Sequence, residues 1–323
     1  MPLSDWADRL LARDRDAVAP ALNLADDARP EAVAATRTLL DRLESEAPQR
    51  ALRIGITGAP GAGKSTLIDA LVRELRANDR TVGIIAVDPS SQRSGGALLG
   101  DRMRVRSGAS DEGVFLRSMA ARSRLGGLAD ATRAGVEILA AVFDWVLVET
   151  VGVGQSESDV AHLVHSLAFV AHPDAGDSLQ FIKAGILEWP DVFVVNKADL
   201  GPSAERSAAE LEASLGLGSA REDGWTPPVL LASARDSRGI SEIRECLEAH
   251  RAHLEANDQL EVRLRAGRRH SLVAALERRY GHFGIEALGG REALEKKIEA
   301  SPQPSASLAL KLAEAIEAKL REG

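Results

Sequence analysis

The chain carries one cysteine, Cys246, in 323 residues. That excludes an internal disulfide and makes a reducing compartment the natural setting. Aromatic residues account for only 3% of the chain, so alanine, leucine and valine must fill most of a core drawn from its 45% hydrophobic content. No apolar run approaches the ~20 residues that a membrane-spanning helix needs. The N-terminus places Asp5 and Asp8 around Trp6 and lacks the apolar stretch of a secretory signal; it is also too acidic for a transit peptide. Positive charge is in deficit as well. The formal net charge of −8 argues against nucleic acid or an anionic membrane as a partner. A locally basic run over 263–270 reads as a solvated helix face. The expectation is a cytoplasmic protein that engages neither membrane nor nucleic acid.

What the chain does have is alternation of strand and helix signals. Residues 1–50 read as amphipathic helices, with Trp6, Leu10 and Leu11 on one face and Val33, Leu39, Leu40 and Leu43 forming a second stripe. Short apolar strands are expected at Arg53–Thr57, Thr81–Val87, Trp145–Val148, Leu167–Ala171, Val192–Val195 and Val229–Leu231. Helical patterns such as Lys64–Ala77 and Ala204–Leu215 lie between them. This order indicates an α/β fold with a mainly parallel, doubly wound sheet. Beyond Ser241 only helices are expected: Ser241–Ala256, Leu260–Tyr280, Arg291–Ala300 and Ala306–Glu322, linked through 284–290 and 301–305. Such a tail is too short and charged for a large core of its own, and should lean on the central domain or on a second copy.

Three motifs carry chemistry. Gly58-Ala59-Pro60-Gly61-Ala62-Gly63-Lys64-Ser65-Thr66 fits G-x-x-x-x-G-K-[ST] between an expected strand and an expected helix. Its glycines turn backbone N–H groups toward phosphates, and the helix N-terminus adds a favourable dipole. Lys64 should reach the β- and γ-phosphates, and the Ser65 hydroxyl should ligate Mg²⁺. The bland alternative, a glycine-rich turn with an incidental lysine, does not account for the full motif in strand–turn–helix context. Asn196-Lys197-Ala198-Asp199 follows a strand, and its aspartate can accept from guanine's ring N–H and exocyclic amine, which adenine does not offer there. A site built around those donors can reject the wrong base by ~10⁴. Ser233-Ala234, after the next strand, would complete the base pocket. The ligand is GTP or GDP rather than ATP.

The acids come next. Glu149 ends a strand where a second nucleotide motif belongs and is a candidate Mg²⁺ ligand. Asp88 ends another strand, and Asp101 lies in a glycine-rich stretch with Gly95, Gly96 and Gly100 that suits a switch around the γ-phosphate. For these two, turn formation and helix capping are equally good readings. His162/His165 and His250/His253 have i,i+3 spacing, which reads as solvated helix faces before it reads as metal ligation.

Together these residues resemble the MeaB/ArgK group of GTPases, chaperones of adenosylcobalamin-dependent methylmalonyl-CoA mutase related to the human cobalamin type A protein. The resemblance runs over about residues 50–235, and its most specific element is Glu149-Thr150-Val151-Gly152-Val153-Gly154-Gln155-Ser156-Glu157. It implies a homodimeric P-loop GTPase of the SIMIBI class with a GTPase domain over 51–253. Flanking that domain would be an N-terminal helical extension over 1–50 and a C-terminal helical dimerisation arm over 254–323. It also implies Ser65, Asp88, Asp101 and Glu149 as metal or switch residues, catalytic roles for Lys64, Asp101, Glu149 and Lys183, and a partner-sensing switch that contains Lys183. Where the family usually reads Gly-Asp-Glu-Leu-Gln-Gly-Ile-Lys-Lys-Gly, this chain has Phe181 and Ala184 within 176–185, so the implied client is methylmalonyl-CoA mutase or a close acyl-CoA mutase relative. The alternatives are a GTPase metallochaperone, against which the single cysteine speaks, and a non-catalytic GTP-gated interaction protein.

Overall fold

Residues 3–48, 50–88, 111–120, 127–150, 156–173, 188–216, 221 and 223–322 are described by a computed structural model. Its central strand, β1 (Leu52–Thr57), is buried at every one of its positions. β2 (Val82–Asp88), β3 (Val114–Ala120), β4 (Trp145–Glu149), β5 (Ser166–Ala171), β6 (Val192–Val195) and β7 (Val229–Leu231) join it in one sheet of order β3-β2-β4-β1-β5-β6-β7. Every pairing among these strands is parallel. That explains the unbroken apolar runs, such as the fully buried Val-Phe-Val-Val of β6, because strands covered on both faces need no polar alternation.

From β1 the chain moves to one side to build β2, β3 and β4, then crosses to the other side for β5, β6 and β7. Open parallel sheets bind ligands beyond the carboxyl ends of the strands at such a reversal. Helix α4 (Lys64–Ala77) turns Leu67, Ile68, Leu71, Val72 and Leu75 into the core beside Ile54, Ile56, Leu147 and Val194, which fixes the loop between β1 and α4 at that edge.

The sequence expectations missed β3. It is an edge strand that pairs with β2 alone, and Arg117 and Ser118 interrupt its apolar run, so neither burial on both sides nor clean alternation marks it.

Two compact units divide the chain. The sheet unit comprises Leu52–Ala121 and Asp144–Val262; the helical unit comprises Met1–Ala51, Arg122–Phe143 and Arg263–Gly323. The helical unit contains α1 (Leu3–Leu11), α2 (Val18–Ala25), α3 (Pro30–Glu46), α5 (Gly127–Val142), most of α9 (Gln259–Ala287), α10 (Gly290–Glu299) and α11 (Ser305–Glu322). Within the tail, Leu272, Leu276, Ile285, Leu294, Ile298, Leu308, Leu312 and Ile316 are buried together in a small cluster. The tail's chain break falls earlier than the expected 284–290 link. Gly281, at φ 64° and ψ −169°, interrupts α9, and helix resumes to Ala287. The N-terminal and C-terminal segments meet where the amides of Ser305 and Ser307 donate to Glu44 Oε2 (2.8 Å) and Asp41 Oδ1 (3.1 Å). Two α3 carboxylates thereby satisfy the otherwise unpaired N–H groups at the start of α11.

Among the described residues of the sheet unit, further helices are α6 (Ser156–Ala161), α7 (Pro202–Leu215) and α8 (Ile240–Ala256). The histidine expectation is corrected here. His165 follows α6 instead of lying on it, and both His165 and His250 are fully buried. His250 belongs to the inward stripe of α8 formed by Ile240, Ile243, Leu247 and Leu254. Its Nδ1 lies 2.6 Å from Ser166 Oγ, and its Nε2 lies 3.6 Å from Asp191 Oδ1. Asp191, itself buried, accepts from the Leu167 amide (2.8 Å) and from Arg221 Nη2 (2.9 Å). Replacing Asp191 by alanine leaves Arg221 and the Leu167 amide without this acceptor, so isothermal urea unfolding is expected to show a loss of about 3 kcal/mol. A change below about 1 kcal/mol would mean the network adds nothing to stability.

Candidate nucleotide-binding site

The loop after β1 is built for close backbone approach. Gly58 has φ 137°, and a Cβ there would lie 2.1 Å from the Val170 carbonyl oxygen of β5. Gly63 has φ 90°, and a Cβ there would meet Asn196 Nδ2 at 2.5 Å. Only glycine lets the loop pass beside β5 and under the asparagine. Lys64 opens α4 with its ammonium folded back over the loop, donating to Gly58 O (2.7 Å) and Ala59 O (3.1 Å). Its charge is thus stored where phosphate oxygens would compete for the same donors.

Ser65 Oγ donates to Glu149 Oε1 at 2.7 Å. The contact joins the start of α4 to the end of β4, whose neighbour β1 pairs Ile56 with Glu149. Burial pushes the Glu149 carboxyl up from its ordinary range, offset by the Ser65 hydroxyl and the Lys64 charge. A half-buried carboxylate beside a hydroxyl at the edge of a phosphate loop is a pair of hard oxygen donors, and it fits Mg²⁺.

Asn196 joins the two halves of the site. Its Nδ2 donates to Ala62 O (3.0 Å), and its Oδ1 accepts from the Ala234 amide (3.2 Å). One buried side chain therefore spans the phosphate loop, the β6 end and the β7 end. Lys197 takes the left-handed conformation at φ 60°, which turns the chain so that Asp199 falls in a short 3-10 turn. Ser233 Oγ donates to Asp199 Oδ1 at 2.9 Å and also lies 3.0 Å from Asp236 Oδ2. The Ser233 hydroxyl above all, then the Asp199 backbone and the charges of Arg235 and Arg238, hold the Asp199 carboxyl below its usual range. An ionised acceptor is what a guanine edge with two donors requires.

The expected residues Gly58 to Thr66, Glu149, Asn196, Lys197, Asp199, Ser233 and Ala234 all lie at the carboxyl ends of β1, β4, β6 and β7, in the loops that follow them or, for Lys64 to Thr66, in the first turn of α4. Asp88 ends β2, and only its backbone is described. Asp101, Lys183, Phe181, Ala184 and Val151 to Gln155 fall outside the described residues. Arg238, which donates to Ala198 O at 2.8 Å, was not singled out by the sequence, since nothing in a lone arginine five positions past Ser233 marks it.

Among the described residues, one grouping of His and acidic side chains has metal-ligand spacing: Asp191, Asp223 and His250. Arg221 already bridges the two carboxylates, at 2.9 Å and 3.4 Å. Its guanidinium supplies the positive charge there, and the grouping is an ion-pair network that ties β5, β6 and α8 together.

A parallel sheet reversing at β1, a phosphate loop leading into α4 and an N-K-x-D turn braced against it define a P-loop GTPase. The family model described as methylmalonyl Co-A mutase-associated GTPase MeaB matches residues 18–280, and the chain belongs to that family. GTPase ArgK of Escherichia coli is 37% identical over 262 residues, covering 80% of this chain and 79% of that one. The mitochondrial methylmalonic aciduria type A homolog of Mus musculus is 36% identical over 221 residues, covering 68% of this chain and 53% of the mouse protein. Among solved structures, one described as a LAO/AO transport system kinase superposes with a TM-score of 0.68 at 28% identity, covering 98% of this chain and 97% of the other. No helix among the described residues is long and apolar enough to cross a membrane.

Proposed function

We propose that this chain is a cytoplasmic, homodimeric chaperone that binds and hydrolyses GTP with Mg²⁺. In this reading it gates cofactor loading, protection or reactivation of an adenosylcobalamin-dependent acyl-CoA mutase, either methylmalonyl-CoA mutase or a close relative. The observation that carries the nucleotide half is the Asn196 bridge, at 3.0 Å to Ala62 O and 3.2 Å from the Ala234 amide, which makes phosphate and base loops one rigid unit. Support for the client half comes from the family match over residues 18–280, whose description carries the mutase association. Asp88, Asp101 and Lys183 complete the reading as metal and switch residues, and the helical tail as the dimerisation arm.

Ser65 and Glu149 would hold Mg²⁺, which offsets charge on the phosphates when bound. Lys64 would exchange the Gly58 and Ala59 carbonyls for β- and γ-phosphate oxygens. Removing the Glu149 carboxylate should therefore affect turnover more than folding. Glu149→Ala is expected to lower Mg²⁺-dependent turnover by about a hundredfold, with thermal unfolding close to wild type. Unchanged Mg²⁺-dependent turnover would remove the assignment.

In the second motif Val153 follows Gly152, and Gln155 comes two positions later than the residue directly after the glycine, where a water-orienting glutamine usually stands. Hydrolysis by the isolated protein is expected within about a hundredfold of the ~10⁻⁴ s⁻¹ scale of unassisted GTPases, rising when the mutase orders the switches. Single-turnover assays with and without the mutase measure both. The reading as a whole is tested by titrating the mutase against the protein loaded with GDP or with a non-hydrolysable GTP analogue. If nucleotide state gates the client, the two affinities differ, and by linkage the client shifts nucleotide affinity by the same factor. Equal affinities would exclude nucleotide gating.

A further inference from the structure

The turn that presents Asp199 is held from outside its own motif. Ala198, between the left-handed Lys197 and Asp199, has both backbone polar groups bonded to the segment after β7, and its carbonyl also accepts from the Gly201 amide within the turn (3.2 Å). Its N–H donates to Ala232 O (2.9 Å), and its carbonyl accepts from Arg238 Nη2 (2.8 Å). Arg238 is itself located by a closed loop. The Ser233 amide donates to Arg238 O (2.9 Å), and the Arg238 amide donates to Ser233 O (3.1 Å). The loop ends at Gly239, whose φ of +77° and tight fit against Leu231 O (2.3 Å from a Cβ built there) exclude other residues. The same loop supplies Ser233 Oγ to Asp199 Oδ1 at 2.9 Å. A non-glycine residue in the left-handed region persists when its surroundings over-determine it. Here those surroundings are Ala232 on one side of Ala198 and Arg238 on the other.

We propose that Arg238 is a positioning residue for base selection: by fixing the Ala198 carbonyl it aims the Asp199 carboxylate at the ring N–H and exocyclic amine of guanine. The proposal rests on the reading that Asp199 recognises the base. Arg238 touches neither base nor phosphate in this role and acts through the orientation of its neighbour. The consequence is selective. Guanine offers Asp199 two donors and hypoxanthine offers one, so a misaimed carboxylate costs a guanine nucleotide more than an inosine nucleotide.

The test is equilibrium titration of GTP and ITP, each carrying a fluorescent ribose label, against the full-length wild type, Arg238→Met, Arg238→Lys and Asp199→Asn. Methionine keeps an apolar stem without the donor. Arg238→Met is expected to bind GTP about five- to tenfold more weakly and ITP no more than about twofold more weakly, compressing the GTP-over-ITP preference. Arg238→Lys should recover part of that preference, because an ammonium can still donate to one carbonyl. Equal losses for both nucleotides, accompanied by a matching fall in thermal stability, would reduce Arg238 to a structural role and overturn the proposal. So would unchanged affinities. Failure of the underlying reading looks different: wild type would bind GTP and ITP alike, or Asp199→Asn would keep the wild-type preference.

Discussion

Lys64→Met is expected to lower single-turnover GTP hydrolysis by about 10²- to 10³-fold, the scale of removing one preorganised donor from a site of developing negative charge. The fold should tolerate the change. Lys64 Nζ donates to the carbonyls of Gly58 and Ala59, both on the loop itself, and a methionine keeps an apolar stem at this buried position. Removing those two bonds exposes carbonyls that phosphate-bound protein must release in any case, so thermal unfolding without nucleotide should move by only a few degrees. The two readouts separate the roles. A large loss of turnover with little loss of stability marks a phosphate ligand, whereas turnover within about tenfold of wild type would mean the lysine's bonds to the loop are its whole purpose.

The nucleotide half of the site was legible because its signals are local and stereochemical. Gly58 to Thr66 needs glycine at set positions before a lysine, and that pattern sits between a strand and a helix whose bounds, Lys64–Ala77, coincide with those expected from sequence. Asn196 to Asp199 was legible for the same reason. What could not be read is anything that acts through a backbone carbonyl at long range. Arg238 reaches Ala198 O only because β6 and β7 are neighbours in register, and no single stretch of sequence encodes that.

His250 is a different kind of miss. The positions Ile240, Ile243, Leu247, His250 and Leu254 repeat with helical period, so the inward stripe was there to be read. The i,i+3 spacing of His250 and His253 competes with that stripe as a signal. A buried histidine also needs a polar partner, and that partner, Ser166 on β5, is distant in sequence and invisible to periodicity. The tail shows the same limit. Its length and charge indicate no large core of its own, and which apolar residues its three helices bury together, from Leu272 to Ile316, depends on how those helices fold against one another.

Gly58→Ala should be the most damaging single methyl group in the sheet unit. The added carbon would stand 2.1 Å from the Val170 carbonyl oxygen and 3.0 Å from its carbon, at a φ of 137° that a side chain rarely adopts. Val170 lies in β5, whose preceding residue Phe169 is the register partner of Thr57 in β1, so neither backbone can withdraw without breaking the central ladder. Urea unfolding is expected to show a loss of at least about 3 kcal/mol, combining steric displacement with backbone strain. GTP binding should be lost with it. Gly61→Ala separates the two causes, because Gly61 also has a positive φ, 82°, but nothing lies within 4 Å of a Cβ there. It should pay only the conformational term, about 1–2 kcal/mol. If the two variants proved equally stable, the approach of the phosphate loop to β5 would not be what demands glycine at position 58. If Gly58→Ala alone collapses, the packing of β5 against the loop is what holds the phosphate site in shape.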